Sequence, residues 1–199
     1  MDTESKLLEA AKQMDEAALV KIFDLYSSAL FNYALRLSGN PVTADHIVGD
    51  VFAKLLEQFS IGQGPTANLR SYLFQAVYHR LIDEVRDAHQ QAPLEVADSL
   101  PQDQHPSSLS LEDQLILRQV LQILRHRLTS DQRHVIVLRL LEGFSLRETA
   151  AIIGKNIDHV KVIQARALAA LRQHLETTGN VRKGVSPKLR NLSKVLRLS

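Results

Sequence analysis

Residues 145–171 read SLRETAAIIGKNIDHVKVIQARALAAL, and this stretch decides how the chain folds. Ser145 and Glu148 form a capping box: the Ser145 hydroxyl accepts from the Glu148 amide, and the Glu148 carboxylate accepts from the Ser145 amide. A short helix is predicted to follow, with Leu146, Ala150 and Ile153 on one side. Gly154 stops it, because glycine takes left-handed backbone without steric cost. Asn156 caps a second helix, whose apolar residues Ile157, Val160, Ile163, Ala167, Leu171 and Leu175 recur at helical spacing. Two helices joined by a glycine-containing turn describe a helix-turn-helix, a motif that lays its second helix in a DNA major groove.

The opposite face of the second helix carries Asp158, Lys161, Val162, Ala165 and Arg166. Long cations reach phosphates or the edge of guanine, and small residues let the helix approach closely. Asn156 and His159, at the start of the same helix, join them as candidate DNA contacts. The alternative is an ordinary helix pair with a solvated polar face. The cap, the turn glycine and Ala150 at the tight helix–helix contact favour DNA binding.

Outward from this motif, almost no segment alternates with period two, so the fold class is all-α. From Leu7 to Leu37 a helix or helix pair is predicted, with Leu19, Phe23, Tyr26, Leu30, Tyr33 and Leu37 as its apolar side. Gly39-Asn40-Pro41 ends it, and Thr43 is the expected cap of the next helix. There Ile47, Val48, Val51, Phe52, Leu55, Leu56 and Phe59 form a broad core stripe. Residues 61–66 (IGQGPT) read as a loop. Leu69 to Arg86 reads as helix, burying Leu69, Leu73, Ala76, Val77, Leu81 and Val85. Residues 88–110 hold no Lys or Arg and lack an apolar period, which marks a linker. Beyond it come a helix from about Leu111 to Leu128, a second capping box at Thr129–Gln132, and a helix through Leu141. The expected organisation is therefore two small helical domains, 1–87 and 111–176, on a flexible linker, with a tail at 177–199.

Length and composition agree with one or two small folded units: 199 residues, 45% of them apolar. The chain has no cysteine, which excludes disulfides and thiolate zinc sites and fits a reducing cytosol. The start, MDTESK, is acidic where a secretion signal is basic, and no apolar run reaches membrane-spanning length. A cytoplasmic protein with no membrane association is expected. Net charge is +2, but residues 1–87 hold twelve acids against eight bases and residues 111–176 ten bases against seven acids. The tail holds six bases and no acid. The C-terminal half is thus the expected polyanion-binding half. Nothing resembles a catalytic constellation or a nucleotide-binding glycine loop. The eight histidines, His126, His134, His159 and His174 among them, read as scattered surface residues and not as a metal site. No enzyme activity, cofactor or metal is expected.

Several segments together resemble a known family. Residues 128–139 (LTSDQRHVIVLR), 142–150 (EGFSLRETA) and 160–168 (VKVIQARAL) resemble region 4 of the bacterial RNA polymerase sigma factors of the sigma-70 family. Residues 44–52 (ADHIVGDVF) are similar to the region 2 helix that docks on the polymerase clamp. Residues 70–73 (RSYL) and 79–86 (HRLIDEVR) resemble the region 2 helix that opens promoter DNA. Both halves, in order and with a linker between, point to the extracytoplasmic-function (ECF) group, which has only regions 2 and 4.

The resemblance implies a factor that binds core RNA polymerase, through the beta-prime clamp and the beta flap, and directs it to promoter DNA. An anti-sigma factor is a further candidate partner. It implies single-strand DNA contacts at Arg70, Tyr72, His79, Arg80 and Arg86, where planar rings stack on bases and cations meet the backbone, with Gly62–Thr66 holding a flipped base. Tyr72 and Tyr78 as half-buried core aromatics is the alternative. Tyr72 and His79 stand where the family usually has tryptophan and asparagine. Polymerase docking falls on His46, Ile47, Val48, Gly49, Asp50 and Val51. There the family commonly shows an acid, an amide and an acid where this chain has His46, Gly49 and Asp50, so docking is either weakened or leans on Ile47, Val48 and Val51. The linker acids Glu95, Asp98 and Asp103 are similar to the segment such factors thread into the polymerase cleft, with a plain tether as the alternative. The tail reads either as a short amphipathic helix from Ser186-Pro187 or as disorder. Two rival functions stay open at this point: a stand-alone helix-turn-helix regulator, and a sigma-like regulatory module that binds core polymerase weakly.

Overall fold

The computed structural model describes residues 3–90, 122 and 126–177, which fall into two units, Met1–Pro101 and Gln102–Ser199. Among the described residues the regular structure is helical throughout. The expected linker begins too early, since residues 88–90 are still helical, and the helix before the tail runs through Thr177; residues 91–110, 178–199 and most of the helix expected at 111–128 lie outside the described residues.

The first unit contains α1 (Thr3–Lys12), α2 (Glu16–Ser38), α3 (Pro41–Ser60) and α4 (Leu69–Gln90). Asp15 caps α2 by accepting from the Ala18 amide at 2.8 Å. Gly39 closes α2, its amide donating to the Leu35 carbonyl at 2.8 Å. The cap of α3 is Asn40, not Thr43: its side-chain oxygen accepts from the amides of Val42 at 2.9 Å and Thr43 at 3.4 Å. Pro41 takes the first helical position, where no amide is needed, and that places the cap one residue before it.

The core forms where α2, α3 and α4 meet. Ile22, Leu30, Tyr33 and Ala34 of α2 pack with Ile47, Val51, Leu55 and Phe59 of α3 and with Leu69, Leu73, Phe74 and Val77 of α4, all buried. The rings of Tyr33 and Phe74 lie 5.2 Å apart. Two sequence expectations need correcting. On α2 the buried stripe runs through Ala18 and Ile22, while Phe23 is 50% exposed and lies against the ring of Phe52, 4.9 Å between centroids. Ala18 is small enough to be buried whole, and the bulkier Phe23 covers Phe52 from the rim with half its surface in solvent. On α3, Leu56 is exposed although the rest of its stripe is buried.

The second unit contains α5 (Ser130–Ile136), continued by a π-helical turn (Val137–Leu141), then α6 (Leu146–Ile152) and α7 (Ile157–Thr177). The Thr129–Gln132 capping box forms as expected: the Gln132 side chain accepts from the Thr129 amide at 3.0 Å, and the Thr129 hydroxyl accepts from the Gln132 amide at 3.4 Å. Val135, Ile136, Val137 and Leu138 are buried, with Phe144 beside them in sequence after the turn at Gly143. His134 is buried with them at 3% exposure, so it is not one of the surface histidines expected from the sequence. His126 and His159 are exposed. Burial holds the His134 pKa down at about 3, against an ordinary 6.5, and neighbouring Arg133 pushes it the same way.

This burial makes the second unit sensitive to acid. Unfolded, His134 takes up its proton near pH 6.5; folded, only near pH 3. Between those values the unfolded state carries the extra proton, so stability falls as pH drops, by up to about 1.4 kcal/mol per pH unit for one group. Above pH 6.5 the residue contributes no pH dependence. Thermal melts of the parent and of His134→Gln at pH 7, 6 and 5 test this. The parent is expected to lose more melting temperature across the series than the variant, and equal losses would reject the assignment.

Candidate nucleic-acid and polymerase interfaces

In the second unit the helix-turn-helix is set by local bonds. The Glu148 carboxylate accepts from the Ser145 amide at 2.7 Å, and the Ser145 hydroxyl accepts from the Glu148 amide at 3.2 Å. Thr149, Ala150, Ile152 and Ile153 are buried. The turn passes through Gly154 at φ +64°, a region that costs an L side chain steric strain. The Lys155 amide donates back to the Ala150 carbonyl at 2.9 Å, and its ammonium pairs with Asp131 at the start of α5 at 3.1 Å. Asn156 caps α7 by accepting from the His159 amide at 2.7 Å.

Burial then fixes the rotation of α7. Val160, Ile163, Ala167 and Leu171 face inward, and Asp158, His159, Lys161, Val162, Ala165 and Arg166 all lie exposed. Ile157, expected within the apolar stripe, is 37% exposed in the opening turn; the Leu175 side chain lies outside the described residues. The outer face therefore presents two cations with small or flat neighbours between them, the arrangement a helix needs to enter a groove. Lys161 is paired with Asp158 at 2.9 Å. An exposed pair of this kind contributes little, so a phosphate or base edge can displace it.

Arg139 escaped the sequence reading. It lies in the π-helical turn, its Nε donating to the Gln164 side chain at 3.2 Å and its guanidinium also donating to the Phe144 carbonyl. It thereby ties the segment leading into α6 to the middle of α7. A lone arginine within the apolar run 135–141 (VIVLRLL) was the available signal.

In the first unit, Tyr72, His79 and Arg86 stand seven residues apart on α4, so they line one side of it at roughly 10 Å intervals. His79 and Arg86 are exposed and Tyr72 is half-buried. The Tyr72 hydroxyl donates to the Gln58 side chain on α3, and burial raises its pKa. Tyr78 is a core residue with its ring 5.4 Å from that of His79, edge to face. Arg86 sits 3.7 Å from Asp83. Arg70 does not join this row: its guanidinium lies 5.2 Å from the centre of the buried Phe74 ring. Two residues apart in a helix face opposite ways, which separates Arg70 from Tyr72. Arg80 is exposed and forms an ion pair with Asp50 of α3.

On α3 the expected docking residues divide. His46, Gly49 and Asp50 are exposed on one face. Ile47, Val48 and Val51 are 2%, 7% and 4% exposed, so they pack α3 into the unit and are not available to a partner. The apolar stripe that makes α3 a core helix consumes them. After α3, residues 61–68 form a loop anchored at its start by the Gly62 amide on the Phe59 carbonyl at 2.9 Å and the Gln63 amide on the Gln58 carbonyl at 2.8 Å. Gly64 has φ +103°, and a Cβ there would lie 3.0 Å from the Phe59 ring. Gln63, Thr66 and Ala67 of the loop are exposed. Among the described residues no cluster of three or more histidines and carboxylates is placed to hold a metal, and no helix is long and apolar enough to cross a membrane.

Residues 22–91 match the family model for Sigma-70 region 2, and residues 126–173 the model for Sigma-70, region 4. The chain is 25% identical over 173 residues to the ECF RNA polymerase sigma factor BldN of Streptomyces coelicolor, a match covering 85% of this chain and 65% of that protein. It is 27% identical over 162 residues to SigX of Bacillus subtilis, covering 78% and 82% respectively, and 26% identical over 171 residues to SigL of Mycobacterium tuberculosis, covering 84% and 94%. Among solved structures it is similar to the sigma factor RpoE in complex with the anti-sigma factor NepR from Bartonella quintana. That likeness has a TM-score of 0.63 at 25% identity and covers 78% of this chain and 95% of that one. CnrH in complex with the cytosolic domain of CnrY shares the fold, with a TM-score of 0.66 at 22% identity over 88% of this chain and 99% of that one.

Gly49 gives this surface a measurable property. A Cβ built there meets nothing within 4 Å, and the residue sits inside a helix, where glycine costs about 1 kcal/mol against alanine. Gly49→Ala is therefore expected to stabilise the chain by up to about 1 kcal/mol, with Gly49→Gln close behind. Chemical denaturation followed by circular dichroism measures it; an unchanged or lowered midpoint for both variants would contradict open space at this position.

Proposed function

The chain belongs to the sigma-70 family of RNA polymerase sigma factors, in the ECF group, and from that premise we propose how its two units divide the work of promoter recognition. Residues 1–87 act as region 2, 88–110 as the linker, 111–176 as region 4, and 177–199 as a basic extension. The chain binds core RNA polymerase in the cytoplasm and directs it to promoters. It is not an enzyme: its contribution is binding energy, and no bond is made or broken by its own residues.

Region 4 reads the upstream (minus-35) element as duplex. Lys161 and Arg166 contact phosphate or guanine, while Val162 and Ala165 allow α7 to approach the base edges. Asn156, Asp158 and His159 at the amino end of α7 lie next to the backbone. The carrying observation is the exposure of this whole face on a helix whose opposite side is buried.

Region 2 holds the downstream (minus-10) element once its strands part. Tyr72 and His79 offer planar surfaces for unstacked bases, Arg80 and Arg86 offer charge to the strand, and the loop 61–68 receives a flipped base. Arg70 reaches the strand only from the far side of α4. Docking on the beta-prime clamp uses the exposed face of His46, Gly49 and Asp50, with Ile47, Val48 and Val51 holding that face in place from within. Region 4 rests on the beta flap. An anti-sigma factor is the natural regulatory partner, as NepR is for RpoE.

Two measurements test this reading. Lys161→Ala and Arg166→Ala are each expected to cost ~1–3 kcal/mol of promoter affinity, read as run-off transcription with core polymerase. If both variants initiate like the parent, the groove face is misassigned. The free protein, in contrast, is expected to bind duplex promoter weakly, because each unit offers a small surface and the two gain from each other only when polymerase fixes their spacing. Tight, sequence-specific gel shifts without polymerase, and no retention of core polymerase in a pull-down, would favour a stand-alone regulator instead.

A further inference from the structure

The segment ahead of the region 2 match, which begins at residue 22, includes all of α1. It is seated on the first unit through Leu8 and Ala11, both buried. One polar contact reaches much further along the chain. The Glu4 carboxylate accepts a hydrogen bond from the amide of Leu69 at 2.8 Å, across 65 positions of sequence. Leu69 is the first residue of α4, and its side chain is fully buried.

The need for such a contact follows from the backbone. The first amides of a helix have no partner within it. The residue before a helix usually supplies one from extended backbone; Asn68 instead has φ +54°, left-handed backbone that ends the loop with a sharp reversal. A carboxylate at a helix amino end adds favourable charge to the bond. Burial raises the Tyr26 pKa, the Glu4 carboxylate adds to it and the Arg70 guanidinium opposes it.

The loop 61–68 is therefore held at both ends. Its entry hangs on the Phe59 and Gln58 carbonyls, and its exit on Glu4. Between them Gln63, Thr66 and Ala67 face solvent. We propose that Glu4 is a positioning residue for base recognition, fixing through the Leu69 amide the exit of the loop that receives the flipped base of the opened strand. This rests on the reading of 61–68 as the base-holding loop. Glu4 itself touches no DNA; it sets where the loop closes. Without this bond the exit is held by the buried Leu69 side chain and by the Tyr72 amide on the Asn68 carbonyl at 3.1 Å; the loop samples more closures, and discrimination between bases weakens before binding to the strand as a whole does.

The test uses the full chain with core RNA polymerase and a promoter library randomised in the downstream element, read by sequencing the transcripts. Amide hydrogen exchange at Leu69 is measured on the free protein in parallel. Glu4→Ala is expected to unprotect the Leu69 amide and to flatten base preference in the downstream element by roughly fivefold, with preference in the upstream element unchanged. Glu4→Gln keeps a carbonyl acceptor on the same arm and is expected to restore both. A uniform fall in transcripts with base preference intact overturns the proposal and leaves Glu4 a stability residue, as does a Leu69 amide that stays protected in Glu4→Ala. Should Glu4→Ala not fold, Glu4→Asp, which withdraws the acceptor by one methylene and keeps the charge, carries the same comparison. If the parent chain initiates nowhere in the library, the functional reading falls and the proposal with it; unflattened preference beside a competent parent sinks the proposal alone.

Discussion

The exposed faces of α3 and α7 depend on one constraint: each helix can bury only one side. On α7 the inward residues are Val160, Ile163, Ala167 and Leu171; on α3 they are Ile47, Val48, Val51, Leu55 and Phe59. Burying one such side chain is worth about 1.5–3 kcal/mol. Turning α7 by one residue would trade several of these for Lys161 or Arg166, whose charges have no partner in an apolar core. The rotation is thus settled by the core, and the exposed faces follow from it. His46, Gly49 and Asp50 are outside because their neighbours are inside.

Rotation alone does not set where a helix begins or how firmly it is held, and here short polar contacts take over. Two capping boxes start α5 and α6. Lys155 on Asp131 fastens the turn to the start of α5, and Arg139 fastens the segment before α6 to the middle of α7. In the first unit Asn40 starts α3 and Glu4 caps α4. The caps fix where each helix begins, and the Lys155, Arg139 and Glu4 contacts link segments that the apolar stripe leaves free to slide. None is large by itself, and their value is in fixing register.

The helix-turn-helix was legible from sequence because its signals are local: a cap and its partner three residues on, a glycine where the backbone reverses, and a stripe at helical spacing. The same holds for the core face of α3, Leu56 excepted. Misreadings arose where the decisive neighbour is distant or where two local rules compete. Thr43 is a plausible cap until Pro41 is given the first helical position, which passes the role to Asn40. Phe23 fits the period of α2, but it lies at the rim, half exposed against Phe52 of α3, while Ala18 and Ile22 are the buried residues. His134 adjoins Val135, Ile136, Val137 and Leu138, and only the packed unit reveals that it is buried with them. The resemblance places Arg70 and Tyr72 together as strand contacts, while the helix turns their side chains to different sides of α4. The bond from Glu4 to Leu69 leaves no trace in either local segment.

The ion pair between Asp50 and Arg80 brings together two residues that sequence assigned to different partners. Asp50 lies on the face expected to meet the polymerase clamp, and Arg80 on the helix expected to meet the opened strand. Both side chains are about half exposed, so the pair is weak and exchanges readily with outside ions. A cation that engages Asp50 leaves Arg80 with one fewer competing charge, and a phosphate that engages Arg80 does the same for Asp50. Linkage makes the effect equal in both directions. Because the pair is weak, the coupling it carries is small and falls with added salt. On the proposed reading, docking at Asp50 and strand contact at Arg80 are connected through this one surface bond, while the buried stripe of α3 beneath them stays as it is.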